Sequence, residues 1–580
     1  MNSQSSNPYL KFNFSLTHDT KSKHFSNPIK VISTHTMAEV GHCFSEIEKM
    51  TSQGYYIAGF ISYEAAPAFN PNLKVKTNPK MPLLWFGVFD RPRTPRVFEF
   101  SNFKTSEWKP HISKKHYNKQ MAKIQNFIQQ GKTEQVNYTL KMKADFKGNP
   151  YTFSENLINA QAADYTAFLD IGRFKIASAS PELFFKLQNG VLTTKPMAGT
   201  SRRGRWYEED LAQAQWLKHS KKNKYENNII VKAMKKELET IADKEHVQVV
   251  NQHAIEKYPT VYQMTTTLMT ELSTNTQLFD IFQALFPCSS ITGLPKKETM
   301  DVISEVEHES RDVYCGAIGY ITPHQDAIFN VPIRTAVVDT KNNKAMYGVG
   351  GGITLDSTAE EEYEEVLTKT AILHSQQPDY QLLESLLLND GHYFLFEKHM
   401  KRLMESANYF NIDLDIIEIK QALHFYANEL SRDMYKIRLL VNRNGSYTIE
   451  ESQISKVEDT QYITIAKTPI DKEDIFHYHK TTYRKIYDKH KQIDFFDVLL
   501  WNEKKEITEF LNGNIVIEMN GKFYTPPVAS GLLPGTFRNH LLNEGVISEK
   551  TISLDDLPSC HAIWFINSVR KWVPVHICQQ

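Results

Sequence analysis

The sequence predicts an α+β protein of at least two domains, and three observations carry that expectation. A chain of 580 residues exceeds what one hydrophobic core serves, so it should divide. Apolar, β-rich runs and helical periods follow one another without strict βαβ alternation, which points to α+β rather than a doubly wound sheet. A polar cluster containing proline, HSQQPD (374–379), lies between two such patterns, giving an expected first domain over 1–375 and a second over 380–580.

Taken in order, YYIAGFISYEA and PLLWFGVFD between Tyr55 and Phe89 read as strands separated by Pro/Asn-rich turns. Tyr117, Met121, Ile124, Phe127 and Ile128 keep a helical period that Gly131 is placed to end. QVNYTLKMKADF reads as a strand with Gln135 and Asn137 at its entry, and IASASPELFFKL and VLTTKPMAGTSRRG as strand, turn, strand and a basic loop. A long helix is expected over about Tyr225 to Ala242, then a loop entering a helix in FPCSSITGLPKKETMDVI, then strands in VYCGAIGYI and AIFNVPIRTAVVD. Beyond Pro378 come short strands, an amphipathic helix around His399 to Phe410, and the turn-rich TPPVASGLLPG.

The stretch Met346 to Thr370, MYGVGGGITLDSTAEEEYEEVLTKT, combines four glycines with a charged helix. Gly348, Gly350, Gly351 and Gly352 suit a loop that approaches a ligand closely or takes positive φ. Ser357 and Glu360 read as a capping box starting a helix at Thr358, on which Glu362, Glu365 and Lys369 share one face. Such a face could hold a divalent cation beside an anionic ligand, and the same spacing also fits a solvated, salt-bridged helix.

Composition narrows the partners. Hydrophobic residues make up 41% and aromatics 12% of the chain, enough to bury more than one core. Lysine plus arginine and aspartate plus glutamate each number 67, so no net charge argues for nucleic acid or an anionic membrane. Cys43, Cys288, Cys315, Cys560 and Cys578 lack CxxC spacing, which speaks against a disulfide framework or zinc site and for free thiols. The opening MNSQSSNPYLKFNF shows no basic segment before an apolar run, and no stretch reaches the roughly 18 apolar residues of a membrane span. Cytoplasmic small-molecule work is the expectation.

Over Gly59 to Ser375 the motifs GFISYEA, QVNYTL, SPELFF, KPMAGTSRRG, FPCSSITGLPK, VYCGAIGYI, IRT and GGGITLDSTAEEEYEEV, in this order, resemble the chorismate-utilising enzymes. The resemblance implies a large α/β sandwich with its site between two sheets. Chorismate carries two carboxylates and must lose or exchange a hydroxyl, which calls for cations, a metal and a general acid. By the resemblance Glu182 is the acid. Glu226, Glu362 and Glu365 would bind Mg²⁺, and Tyr314, Arg334, Lys369, Thr292 and the amides near Gly350 and Gly352 would hold the substrate. Gln135 stands where water-using members carry a lysine base, so ammonia is the implied nucleophile. The sequence departs from the family pattern at Ala198, where a lysine proposed as nucleophile often stands, and at Lys232, Gln263, Cys288 and Ser289.

Over about Leu382 to Ile577, FEKHMKRLMESA, YHKTTYRKIYD, ITEFLNGNIVI, TPPVASGLLPGTFR and FINSVRKWVPV resemble the class IV, pyridoxal-phosphate-dependent aminotransferases, nearest the aminodeoxychorismate lyase branch. This implies a fold-type IV α+β domain. Lys480 matches the Schiff-base lysine and Glu509 the partner of the pyridine nitrogen. Arg402, the amides of Thr536 and Phe537, and Ser568 match the phosphate ligands, and Arg570 a substrate-carboxylate residue.

Together the resemblances imply amination of chorismate to 4-amino-4-deoxychorismate, then elimination of pyruvate to leave 4-aminobenzoate, a precursor of folate. No GxCxGxQ motif occurs, so ammonia is expected from a separate glutamine amidotransferase subunit or from solution. The second domain is compatible with a homodimer. Three alternatives stay open: an anthranilate-forming first half, suggested by Ala198; an aminotransferase second half; and one half kept as a binding module.

Overall fold

The computed structural model describes residues 7–16, 22–243, 246–373, 378–457 and 459–578. Most of the expected boundary cluster, residues 374–377, lies outside them. Two compact units emerge: 1–202 with 214–377, and 203–213 with 378–580. The short segment 203–213 is therefore built into the second unit although it interrupts the first in sequence. Sequence reading gave no sign of this.

The first unit holds two ten-stranded sheets. In one, Gln135–Gly148, Lys344–Ile353, Thr335–Asp339, Phe174–Ser180 and Tyr165–Asp170 lie side by side; in the other, Val191–Lys195, Leu183–Gln188, Ala327–Asn330, Ala317–Ile321 and Tyr56–Ile61 do. Leu10, Phe12, Leu169 and Ile176 of the first sheet share one buried cluster with Phe60, Ile318, Tyr320 and Ile328 of the second, so the sheets face each other. The outer faces are covered by helices. Val136, Leu140 and Val349 pack with helices Lys114–Gln129, Lys296–Val306 and Ala359–Thr370, while Phe184 and Leu268 pack with Val40–Ser52, Lys221–Glu239 and Leu278–Leu285. The result is an α-β-β-α sandwich, with apolar side chains pointing alternately to the neighbouring sheet and to the helices.

Three local expectations need correction. The glycine-rich stretch is no loop: Gly348 to Gly352 lie inside strand Lys344–Ile353, none with positive φ, in register with Lys141 to Asn137. Glycine is needed there for space, since a Cβ at Gly348 would sit 2.3 Å from the Tyr314 ring. The following helix is capped one residue later than expected, by Thr358, whose hydroxyl accepts from the Glu361 N–H at 3.3 Å, while Ser357 donates to Glu362 Oε1 at 2.7 Å. Part of the expected basic loop is strand Met197–Arg202, and a helix not expected, Tyr207–His219, precedes Lys221–Glu239.

The second unit has a four-stranded sheet including Leu382–Asn389 and Met434–Val441, and an eight-stranded sheet including Asp497–Trp501, Ile507–Phe510, Asn514–Met519 and Ala562–Asn567. Helix Phe396–Phe410 buries His399, Met400, Leu403 and Ala407 against the smaller sheet, a period of three and four that turns Arg402 to the same side.

Candidate active sites

In the first unit the glycine strand separates two sets of groups. A Cβ at Gly351 would lie 3.0 Å from Glu362 Oε2 and 3.6 Å from Glu365 Oε1, whereas one at Gly352 would lie 2.2 Å from Gln135 Nε2. Alternation along the strand puts Gly351 on the helix side and Gly348, Gly350 and Gly352 on the inner side, with Tyr314 and Gln135.

On the helix side, burial pushes Glu362 up against a hydrogen bond from Ser357, and Glu365 adds to the rise. Burial also raises Glu226, opposed by Lys222 and reinforced by Glu365, and Glu226 has no hydrogen bond or ion pair among the described residues. Glu365 is held low, against burial, by Lys369, which is ion-paired to it and also donates to the Gly350 carbonyl at 2.8 Å. Three carboxylates that raise or feel one another are hard oxygen donors whose mutual repulsion a divalent cation would relieve, so the donor chemistry fits Mg²⁺. As placed, the described residues contain no group of three acids close enough to hold an ion. Lys369 is engaged in place and is not a free carboxylate receptor.

Half-buried Arg334, with a left-handed φ of 52°, pairs with no carboxylate among the described residues; it donates to the Lys369 carbonyl at 3.4 Å and hydrogen-bonds the Tyr347 hydroxyl, which lies on the same carbonyl at 3.3 Å. Thr292, fully buried, spends its hydroxyl on the Cys288 and Ser289 carbonyls and so shapes its turn. Glu182 is 2% exposed and pushed up to about 7 by burial, opposed by a bond from Ser290. A carboxyl poised near neutrality suits a general acid.

The departures are also located. Ala198 lies on strand Met197–Arg202, and Lys195 pairs with Glu256 at 2.8 Å; Tyr165 and Glu256 hold its ammonium up against burial, so it is no nucleophile at neutral pH. Lys232 is exposed on its helix and Gln263 accepts from Thr200 at 3.1 Å.

The second unit gathers all seven expected residues. Arg402, Lys480, Glu509, Thr536, Phe537, Ser568 and Arg570 line one cavity of about 260 Å³. Burial, then Arg402, lowers Lys480 to about 7, and burial raises Glu509 to about 8. Glu509 Oε1 accepts from the Tyr487 hydroxyl at 2.9 Å and Oε2 from the Leu533 N–H at 3.1 Å, with no cation paired to it among the described residues. Helix Thr536–Asn543 opens the cavity with an N-terminus that no side chain caps. A buried carboxylate lacking a cation, a lysine driven toward its neutral form and open helix amides fit the pyridine nitrogen, aldehyde and phosphate of pyridoxal phosphate.

Sequence reasoning missed the supports. Buried Glu384 takes Arg402 in a fork (2.9 and 2.6 Å) and His399 Nδ1 at 2.7 Å; against burial these partners hold it down to about 2. His399 Nε2 in turn lies 3.3 Å from Thr536 Oγ1. The i, i+3 pair His399 and Arg402 was the available signal. Lys436 and Arg484 also line the cavity and, like Arg570, make no ion pair with a carboxylate among the described residues. Burial, then Arg438, Arg570 and Arg484, pushes Lys436 down.

The two units thus define a chorismate-type sandwich and a lysine-bearing, phosphate-ready cavity. Residues 94–375 match the family model of chorismate binding enzymes and residues 381–578 that of amino-transferase class IV, so the chain joins a chorismate binding domain to a class IV aminotransferase domain. Aminodeoxychorismate synthase component 1 of Salmonella typhimurium is 33% identical over 271 residues, 47% of this chain and 59% of that protein. That of Escherichia coli is 32% identical over 265 residues (46% and 58%), and anthranilate synthase component 1 of Aquifex aeolicus 31% over 266 (46% and 53%). The chain therefore spans somewhat more than half the length of these relatives. The crystal structure of anthranilate synthase component I from Streptococcus pneumoniae shares the fold at 23% identity, with a TM-score of 0.54, over 64% of this chain and 93% of that one. Among the described residues no helix is long and apolar enough to cross a membrane.

Proposed function

We propose that the chain makes 4-aminobenzoate from chorismate in two reactions, one per unit, as a cytoplasmic step toward folate. The observation that carries this is the union, in one chain, of a chorismate binding domain with a cavity whose lysine stands among uncompensated cations. In the first unit Arg334 would receive a chorismate carboxylate, with Glu226, Glu362 and Glu365 holding Mg²⁺ beside it. Glu182 would protonate the departing hydroxyl, which leaves as water, while Gln135 orients ammonia by hydrogen bonding, since an amide cannot act as a base at neutral pH. A separate amidotransferase subunit would supply the ammonia.

In the second unit bound pyridoxal phosphate would supply an electron-withdrawing ring that stabilises negative charge developing on the substrate. Lys480 would take the proton from the substrate ring carbon that bears the amine and give it to the departing enolpyruvyl group, whose ring C–O bond breaks so that it leaves as pyruvate; Glu509 would keep the pyridine nitrogen protonated, and Glu384 would hold Arg402 and His399 in place around the phosphate. Lys436, Arg484 and Arg570 suit a dianion, which favours 4-amino-4-deoxychorismate over a simple amino acid; the products would be 4-aminobenzoate and pyruvate. A homodimer would suit this unit.

Ala198 favours a second reading, an anthranilate-forming first half, because no lysine is available there for covalent attack. One incubation separates them: with chorismate, ammonium, Mg²⁺ and pyridoxal phosphate, 4-aminobenzoate and pyruvate in equal amounts support the proposal, and anthranilate overturns it.

A further inference from the structure

Glu182 is the group on which the proposed first reaction turns, and the structure shows what holds it. Its N–H donates to Ser180 Oγ at 3.1 Å and its carbonyl accepts from the Val331 N–H at 3.0 Å, so its backbone is fixed. Its side chain pairs with no cation among the described residues. Instead Oε1 accepts from the Ser290 hydroxyl at 2.5 Å, and the backbone N–H of Met197 gives the carboxylate a further, weaker bond. Ser290 lies in the single turn Ser289–Ile291, and its Oγ is 3.1 Å from the sulfur of Cys288.

Direction in this chain follows from the thiol. Cys288 is 1% exposed and pushed up to about 12 by burial and by Glu182, so it keeps its hydrogen at neutral pH. A protonated thiol can donate to Ser290 Oγ, and a hydroxyl that accepts there has its own hydrogen free for Glu182. Another titratable group that feels Glu182, the Cys315 thiol, is likewise at about 12, again through burial.

We infer that Ser290, oriented by Cys288, is a positioning residue for the general acid: by donating to Oε1 it confines the transferable proton of Glu182 to Oε2. A carboxylic acid that already accepts a strong bond on one oxygen carries its proton on the other. When that proton passes to the departing hydroxyl, the negative charge left on the carboxylate strengthens the Ser290 bond, so the serine stabilises the transition state more than the ground state. The inference gives a role to Cys288, one of the positions at which the sequence departs from the family pattern. It rests on the reading of Glu182 as the acid.

The test is the pH profile of chorismate turnover by the full chain at saturating Mg²⁺ and free ammonia. Ser290→Ala should lower kcat about tenfold or more, leave KM for chorismate unchanged, and move the alkaline limb to higher pH, because the lost bond favoured the carboxylate. Ser290→Thr, which keeps the hydroxyl at a half-buried position, should restore both. Cys288→Gly should shift the limb in the same direction by less. A Ser290→Ala profile that superimposes on wild type, with kcat within about twofold, overturns the inference; should that variant fail to fold, an unshifted Cys288→Gly profile does the same. Full activity in Glu182→Gln would instead sink the underlying assignment.

Discussion

A buried lysine and a buried carboxyl facing one cavity are both driven toward their neutral forms, and Lys480 at about 7 and Glu509 at about 8 show it. For Lys480 the consequence can be measured. The lowered value means that the amine is protonated, and no nucleophile, below about pH 7, and free to attack the cofactor aldehyde above it. Cofactor-free protein should therefore capture pyridoxal phosphate faster as pH rises through 7, read from the growth of its visible absorbance in stopped flow. A midpoint as high as that of an exposed lysine, roughly 10, would place the side chain in solvent. The seven expected residues of this cavity were legible because each sits in a motif whose chemistry demands it. Glu384, Lys436 and Tyr487 were not, because a buried glutamate in LLES or a lysine in a strand looks like any other until the sheet is folded.

At the scale of the element, Arg311 ties three pieces together. Its guanidinium bonds Glu307 in a fork (3.0 and 2.7 Å), the Ile291 carbonyl at 2.8 Å and the Asn137 carbonyl at 2.8 Å, and so joins the turn bearing Ser290 to the strand bearing Gln135. Arg311→Leu should cost roughly 3–5 kcal/mol, because it strands Glu307 as a buried unpaired charge, and a thermal melt will read this as a lowered Tm. Arg311→Lys, losing the planar fork, should fall between. The helix Ala359–Thr370 gives a different prediction: Glu365→Gln removes one negative charge beside Glu226 and Glu362 and frees Lys369. A higher Mg²⁺ concentration for half-maximal chorismate turnover is expected. Unchanged Mg²⁺ dependence would return Glu365 to the role of a salt-bridged surface residue.

At the scale of the whole molecule, two domains with separate cores predict separable chemistry. Glu182→Gln should make no 4-amino-4-deoxychorismate, and Lys480→Ala should make it but accumulate it and fail to bind pyridoxal phosphate. Mixed, the two variants should form 4-aminobenzoate, because the intermediate released by one can be taken up by the other. Chromatography of the mixture checks this, and a mixture that accumulates intermediate without product would show that the second reaction does not accept it from solution. Compactness and sequence continuity do not coincide here: residues 203–213 fold with the second unit. Arg203 is forked to Asp210 at 2.6 and 2.7 Å and donates to the Tyr409 carbonyl at 3.0 Å, and Trp206 stacks on Tyr478 at 5.4 Å.

The sequence by itself determined the α+β class, a strand over QVNYTLKMKADF, a helix around His399 to Phe410 and the seven residues that the fold brings into one cavity, because periodicity and motif order are local properties of the chain. It misread the glycines of Met346 to Ile353 as a loop, since composition alone cannot distinguish a backbone that must bend from one that must leave room for the Tyr314 ring. Only the tertiary structure decided that Lys369 is spent on Glu365 while Arg334 pairs with no carboxylate among the described residues, that Thr292 serves its own turn, and that Cys288 and Ser290 stand behind Glu182. Those outcomes depend on which partners long-range strand register brings within hydrogen-bond reach, and register is settled by packing between sheets that lie far apart in sequence.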